Sequence, residues 1–218
     1  EMDKKMRLKE PGSAITHFIG MMMAIFAGIP LLIKATDHPD RIHLICMVIF
    51  IASMIGLYAA STIFHSLDVN NTVNRILRKL DHSAIFVLIA GTYTPICVLV
   101  LKQPTGIRLC ILVWVIAIVG ILVKIFWITS PKWFSSVLYI GMGWVCVIAF
   151  SRLINDLTLS QFLWLVAGGV IYTIGGVIYA LKLTSFNERH KYFGTHEIFH
   201  LFVMGGSVCH YIVMFKIA

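Results

Sequence analysis

Long apolar runs, broken by short polar connections, organise the whole chain. Seven runs stand out: Ile15–Ile33, His43–His65, Ser83–Leu101, Ile107–Ile128, Phe134–Phe150, Phe162–Leu181 and Thr195–Phe215. A spanning helix needs roughly 20 mainly apolar residues, and all but the short fifth run reach about that length. Turn and breaker residues fill the gaps between runs, as in Asp37-His38-Pro39-Asp40, Gln103-Pro104-Thr105-Gly106 and Ser130-Pro131-Lys132. The pattern predicts an all-α membrane protein, a seven-transmembrane helix bundle, forming a single domain over residues 1–218. Pro95, inside the third run, predicts a kink. The glycine pairs Gly168-Gly169, Gly175-Gly176 and Gly205-Gly206 predict close helix packing. The first run is too long for a cleaved signal peptide.

Composition supports the membrane class. The 218 residues are 59% hydrophobic and only 13% charged, with a mean hydropathy of +0.88. A soluble domain carries about 25% charged residues. The net charge is +8 and the pI about 9.4. These positive charges lie between apolar runs and form no stripe with aromatic residues. They therefore point to topology and anionic lipid headgroups, and away from nucleic acid. All five cysteines (Cys46, Cys97, Cys110, Cys146, Cys209) fall within apolar runs, and none forms a Cys-x-x-Cys pair. That distribution reads as packing, with no disulfide framework.

The basic residues also predict direction. Twelve of the 18 Lys and Arg fall on one side: Lys4, Lys5, Arg7, Lys9, Arg75, Arg78, Lys79, Lys124, Lys132, Lys182, Arg189 and Lys191. Lys34, Arg41, Lys102, Arg108, Arg152 and Lys216 fall on the other. The positive-inside rule then places the N-terminus in the cytoplasm and the C-terminus outside.

On this map, ionisable residues that are costly in hydrocarbon gather at one depth. His65 ends the second run, Ser61 lies one turn above it, Asp81 precedes the third run, and His196 and His200 open the seventh. Histidines at i and i+4 share one helix face. With a third histidine from a neighbouring helix they match the ligand set of a zinc site that keeps its fourth position open. Asp81 would then accept a proton from water or orient it, and Ser61 would donate a hydrogen bond to a developing oxyanion. Other readings stand beside these. Asp81 is a good helix N-cap, and Ser61 can bond back to a carbonyl of its own helix. His17, His82 and His210 are expected to hydrogen-bond to a carbonyl or serine, and His38, His43 and His190 to be solvated. The string His196-Glu197-Ile198-Phe199-His200 also matches H-E-x-x-H, in which Glu197 would be the base of an intramembrane metalloprotease. The distant Asp-Gly motif that supplies the third ligand in such proteases is not visible.

Taken together, Ser61-x-x-x-His65, Leu80-Asp81-His82-Ser83, Gly91-Thr92-Tyr93-Thr94-Pro95, His196-x-x-x-His200 and the early Gly12-Ser13-Ala14-Ile15-Thr16-His17 resemble the hemolysin III family. This is the bacterial branch of the progestin and adipoQ receptor family, more loosely related to the alkaline ceramidases. The resemblance implies a cytoplasm-side Zn2+ on His65, His196 and His200, with Asp81 acting through water and Ser61 beside it. It also implies a lipid-accessible cavity. Adiponectin receptors carry glutamine at the position of Glu197, which weakens Glu197 as a base. The ceramidase relation implies hydrolysis of a lipid amide or ester bond, with membrane lipids as substrate and partner. Alternatives are a non-catalytic receptor-like or membrane-homeostasis protein with structural zinc, or the pore-forming cytolysin of the family name. A bacterial inner membrane is the expected location.

Overall fold

A computed structural model describes residues 8–181, 183–190 and 193–218. Nine α-helices account for most of the described residues, and none of these forms a strand. They are α1 (Pro11–Ala35), α2 (Arg41–Ser66), α3 (Asn71–Pro95), α4 (Thr105–Phe126), α5 (Lys132–Gly143), α6 (Phe150–Asp156), α7 (Leu159–Leu181), α8 (Thr184–Arg189) and α9 (Thr195–Ile217). Seven helical stretches are long and apolar enough to cross a membrane. The third of them covers Asn71–Val100 and the fifth Lys132–Asp156.

Local chemistry explains where the helices start. Pro11 opens α1, where its missing N–H is no loss. The Asp40 side chain caps α2, accepting from the backbone N–H of Ile42 (3.1 Å) and His43 (3.3 Å). Asn70 caps α3 through the N–H of Val73 (2.9 Å). That last cap corrects one alternative for Asp81, which lies inside α3 and caps nothing. The helix starts well before the apolar run because Asn71–Leu80 is an amphipathic turn-out bearing Arg75, Arg78 and Lys79. Hydropathy alone sees only the apolar part. Downstream of Pro95 the chain opens into a π turn, Ile96–Val100, where the kink was expected. The fifth span passes through a 3₁₀ stretch, Trp144–Ala149, between α5 and α6.

Packing closes the spans into a ring. α1 packs on α2, α2 on α3, α3 on α4 and α5, α5 on α7, α7 on α9, and α9 returns to α1. Lys34 at the end of α1 donates to the carbonyl of Phe215 at the end of α9 (2.5 Å), so these two helices run side by side in the same direction. Apolar side chains cover the outside; Ile148 and Phe126 are 76% and 80% exposed. Hydrocarbon, and not water, satisfies such a surface. Lys124, counted above as a connection charge, is instead fully buried, donating to Ser130 (2.8 Å) and to Ser135. Lys4, Lys5, Arg7, Lys182 and Lys191 lie outside the described residues.

Gly168, Gly175, Gly205 and Gly206 lie where α7 meets α9, while Gly176 faces Ile140 of α5. A Cβ on Gly206 would stand 2.7 Å from the Tyr172 ring. That ring is held by its hydroxyl, 2.8 Å from Ser207 Oγ, which also accepts from Tyr58 at 2.8 Å. Gly206→Val is therefore expected to destabilise the bundle by about 1–3 kcal/mol, the usual cost of overpacking. Thermal unfolding of the metal-free protein in detergent checks this; an unchanged midpoint would show that the α7–α9 contact is not tight.

Candidate metal centre

The antiparallel order of the spans brings the C-terminal end of α2, the first half of α3 and the first turns of α9 to the same end of the bundle. His65, Ser61, Asp81 and His200 are buried there, His65 at 1% exposure and His200 at 2%. Each of His65, His196 and His200 offers a ring nitrogen, and the three lie within 4.8 Å of one another. Nε2 of His65 is 3.2 Å from Nε2 of His196. Two imidazoles on one tetrahedral zinc, each bonded at 2.0–2.1 Å, place their nitrogens about 3.3–3.4 Å apart. Ring centroids are 4.9 Å apart for His65–His196, 5.2 Å for His65–His200 and 4.5 Å for His196–His200.

The outward-facing nitrogens are treated differently. Nδ1 of His65 donates to Oε2 of Glu10, on the chain entering α1. This bond holds the Glu10 carboxyl below its usual range, against the opposing effect of partial burial. Nδ1 of His200 lies 3.1 Å from Thr16 Oγ1. Nδ1 of His196 is buried without a partner among the described residues. A ligating histidine typically ties down its second nitrogen, and two of the three rings do. The donor set is therefore one that zinc fits: two buried imidazoles and one partly buried, converging from two helices, with two ring orientations held from outside.

Asp81 stands next to Ser61 and within interaction range of His65. Ser61 Oγ, buried at 1% exposure, makes no hydrogen bond of good geometry, so the back-bond to its own helix is not formed. A buried hydroxyl that interacts with a neighbouring carboxyl group makes a polar pair able to take a further hydrogen-bonding partner. Both groups, with His17, His82, His196 and His200, line one end of a cavity of about 170 Å³. Its remaining wall is apolar, formed by residues such as Leu57, Leu88, Leu165 and Val203, and it reaches His210 and Tyr172 farther up the bundle.

The remaining histidines divide. His210 Nε2 contacts the Leu165 carbonyl at 3.3 Å, as expected. His17 departs from expectation: neither ring nitrogen has a partner among the described residues, and the ring instead stacks on His200 at 3.6 Å with an 11° tilt. His82 Nδ1 likewise has no partner. Glu197 is occupied elsewhere. One carboxylate oxygen accepts from Gly194 N–H (2.8 Å) and the other from Ser13 Oγ (2.5 Å), so the residue caps α9. Sequence reasoning missed Glu10 and Thr16. Glu10 sits beyond the apolar run and has no motif spacing to His65, so no local signal marks it.

Fold and site together define a seven-span helical membrane protein with a three-histidine cluster beside a largely apolar cavity, two of whose histidines, His196 and His200, line it. The family model described as "Haemolysin-III related" matches residues 6–211, and the chain belongs to that family. It is 39% identical over 199 residues to Hemolysin-3 of Bacillus cereus, covering 91% of this chain and 87% of the relative. It is likewise 39% identical over 199 residues to the Hemolysin-3 homolog of Bacillus subtilis strain 168, covering 91% and 89%. The adiponectin receptor protein of Drosophila melanogaster is 24% identical over 218 residues, covering 93% of this chain and 49% of the receptor.

Proposed function

We propose that this protein is a zinc-dependent hydrolase of a lipid amide or ester bond, acting in membrane lipid homeostasis from within a bacterial plasma membrane. The supporting observation is the pairing of the histidine triad with a buried carboxyl group and hydroxyl at the polar end of an apolar cavity. His65, His196 and His200 would hold the ion. When bound, zinc lowers the pKa of water towards 7 and polarises a carbonyl oxygen. Asp81 takes the proton of the attacking water and returns it to the leaving amine or alcohol as the carbonyl–heteroatom bond breaks. Ser61 donates to the carbonyl oxygen as negative charge develops. The apolar wall holds the acyl chain and excludes bulk water. In this reading residues 1–218 act as one domain, and the excess of basic residues beside the triad supports a cytoplasmic position for that end and for the N-terminus.

The test is a reaction of the purified protein with a defined N-acyl amino-alcohol lipid, read as free fatty acid by mass spectrometry. Release should stop with a chelator and return with zinc. Glu197→Gln should keep most of this activity, because the carboxylate already serves Gly194 and Ser13 and an amide oxygen can still cap α9. Loss of about 10²-fold or more in that variant would favour Glu197 as general base and the protease reading.

A second reading draws on the name of the Bacillus cereus relative, a hemolysin. Dye release from pure-lipid vesicles that survives loss of all three histidines would favour a lytic pore. A protein that never forms lipid product yet loses thermal stability when stripped of metal would be receptor-like, with structural zinc.

A further inference from the structure

We infer that Glu10 is a positioning residue for the histidine triad, holding the His65 ring so that Nε2 turns inward. The inference rests on the reading of the triad as a metal site. An imidazole that gives its Nδ1 proton to a carboxylate is left with a lone pair on Nε2, the form a metal requires. The hydrogen bond from His65 Nδ1 to Glu10, with Nε2 only 3.2 Å from His196 Nε2, is that arrangement. The carboxylate also makes the ring a more basic ligand.

Glu10 grips the same residue twice. Its backbone N–H donates to the carbonyl of His65 at 2.9 Å, and the neighbouring Lys9 N–H approaches that of Ser66 at 3.4 Å. These carbonyls belong to the last turn of α2, which has no partners of its own for them. The next residue, Pro11, starts α1. The backbone therefore carries the carboxylate to His65, with little left to side-chain freedom.

The same stretch supports a second ring. Thr16 Oγ1 already donates within its own helix, to Gly12 O (2.9 Å) and Ser13 O (3.0 Å). With its single proton on either carbonyl, Oγ1 can only accept from His200 Nδ1 at 3.1 Å, and that arrangement again leaves the lone pair on Nε2. His17 stacks on that ring. The start of α1 thus sets the tautomer of two rings without touching the position they surround. Glu10 itself is nearly half exposed, at 46%, so its removal opens no hole in the core.

The experiment uses the full chain, purified and metal-free, titrated with Co2+. The visible absorption reports the ligand geometry, and chelator competition reports affinity. Glu10→Ala should weaken cobalt binding by about 10–100-fold and alter the absorption band. Glu10→Gln should lose less, because its amide oxygen still accepts from Nδ1 but carries no charge. The melting temperature of the metal-free protein should not move. Unchanged affinity and band in Glu10→Ala overturn the inference while leaving the metal site intact. A loss of affinity matched by a lower metal-free melting temperature also overturns it, since Glu10 would then act through the fold. A wild-type chain that binds no cobalt removes the metal reading and this inference with it.

Discussion

Replacing His65 with alanine is expected to abolish stoichiometric metal binding. The triad has two ligands on α9 and one on α2, so the variant leaves a histidine pair on one helix with no third donor from α2. Outer partners of a metal site affect affinity by about 10–100-fold, and loss of a direct ligand should exceed that range. Binding also stabilises the fold by mass action: a free metal concentration 1,000 times the Kd contributes about 4 kcal/mol. The zinc-dependent rise in melting temperature should therefore disappear in His65→Ala. Elemental analysis of the purified wild type and variant is the direct measurement. One equivalent of metal retained by His65→Ala would mean that the ion sits elsewhere.

Asp81→Asn should separate binding from turnover. Asp81 is not a member of the nitrogen cluster, so metal content should remain close to wild type. Asparagine matches the shape of aspartate but cannot take the proton from water, and general-base contributions run to about 10²–10⁴-fold. The same lipid assay should show a kcat reduced by about that factor with KM little changed, since in the proposed reaction the acyl chain would meet the apolar wall and not Asp81. Full activity in a metal-replete Asp81→Asn protein would defeat the proposed chemistry. Normal metal with no product from either protein would leave the structural-zinc reading.

Much of the architecture was legible along the chain. Seven spans follow from hydropathy, a sum over neighbouring residues that needs no knowledge of the fold. The histidine pair on α9 was legible for the same reason, because i, i+4 spacing is a local property. Adding His65 and Asp81 needed only the alternation of span direction. What misled was also local. Asp81 looked like a helix start because the amphipathic opening of α3 is too polar to register as a span. Lys124 looked like a connection charge because nothing in its neighbourhood announces that Ser130 and Ser135 will enclose it. The five-residue string around Glu197 likewise says nothing of Ser13, 184 positions away, whose hydroxyl donates to its carboxylate.

By itself, the sequence determined the spans and their order, together with the end of the bundle where the ionisable groups collect. These rest on the free energy of moving each stretch from water to hydrocarbon, which is nearly additive along the chain. Only the tertiary structure decided which nitrogen of each ring faces inward, through Glu10 on His65 and Thr16 on His200. It also decided that His17 stacks on His200, and that Glu197 closes a helix end. Those outcomes depend on directional hydrogen bonds and ring contacts between residues as far as 184 positions apart. Such contacts exist only once α1, α2 and α9 have closed the ring.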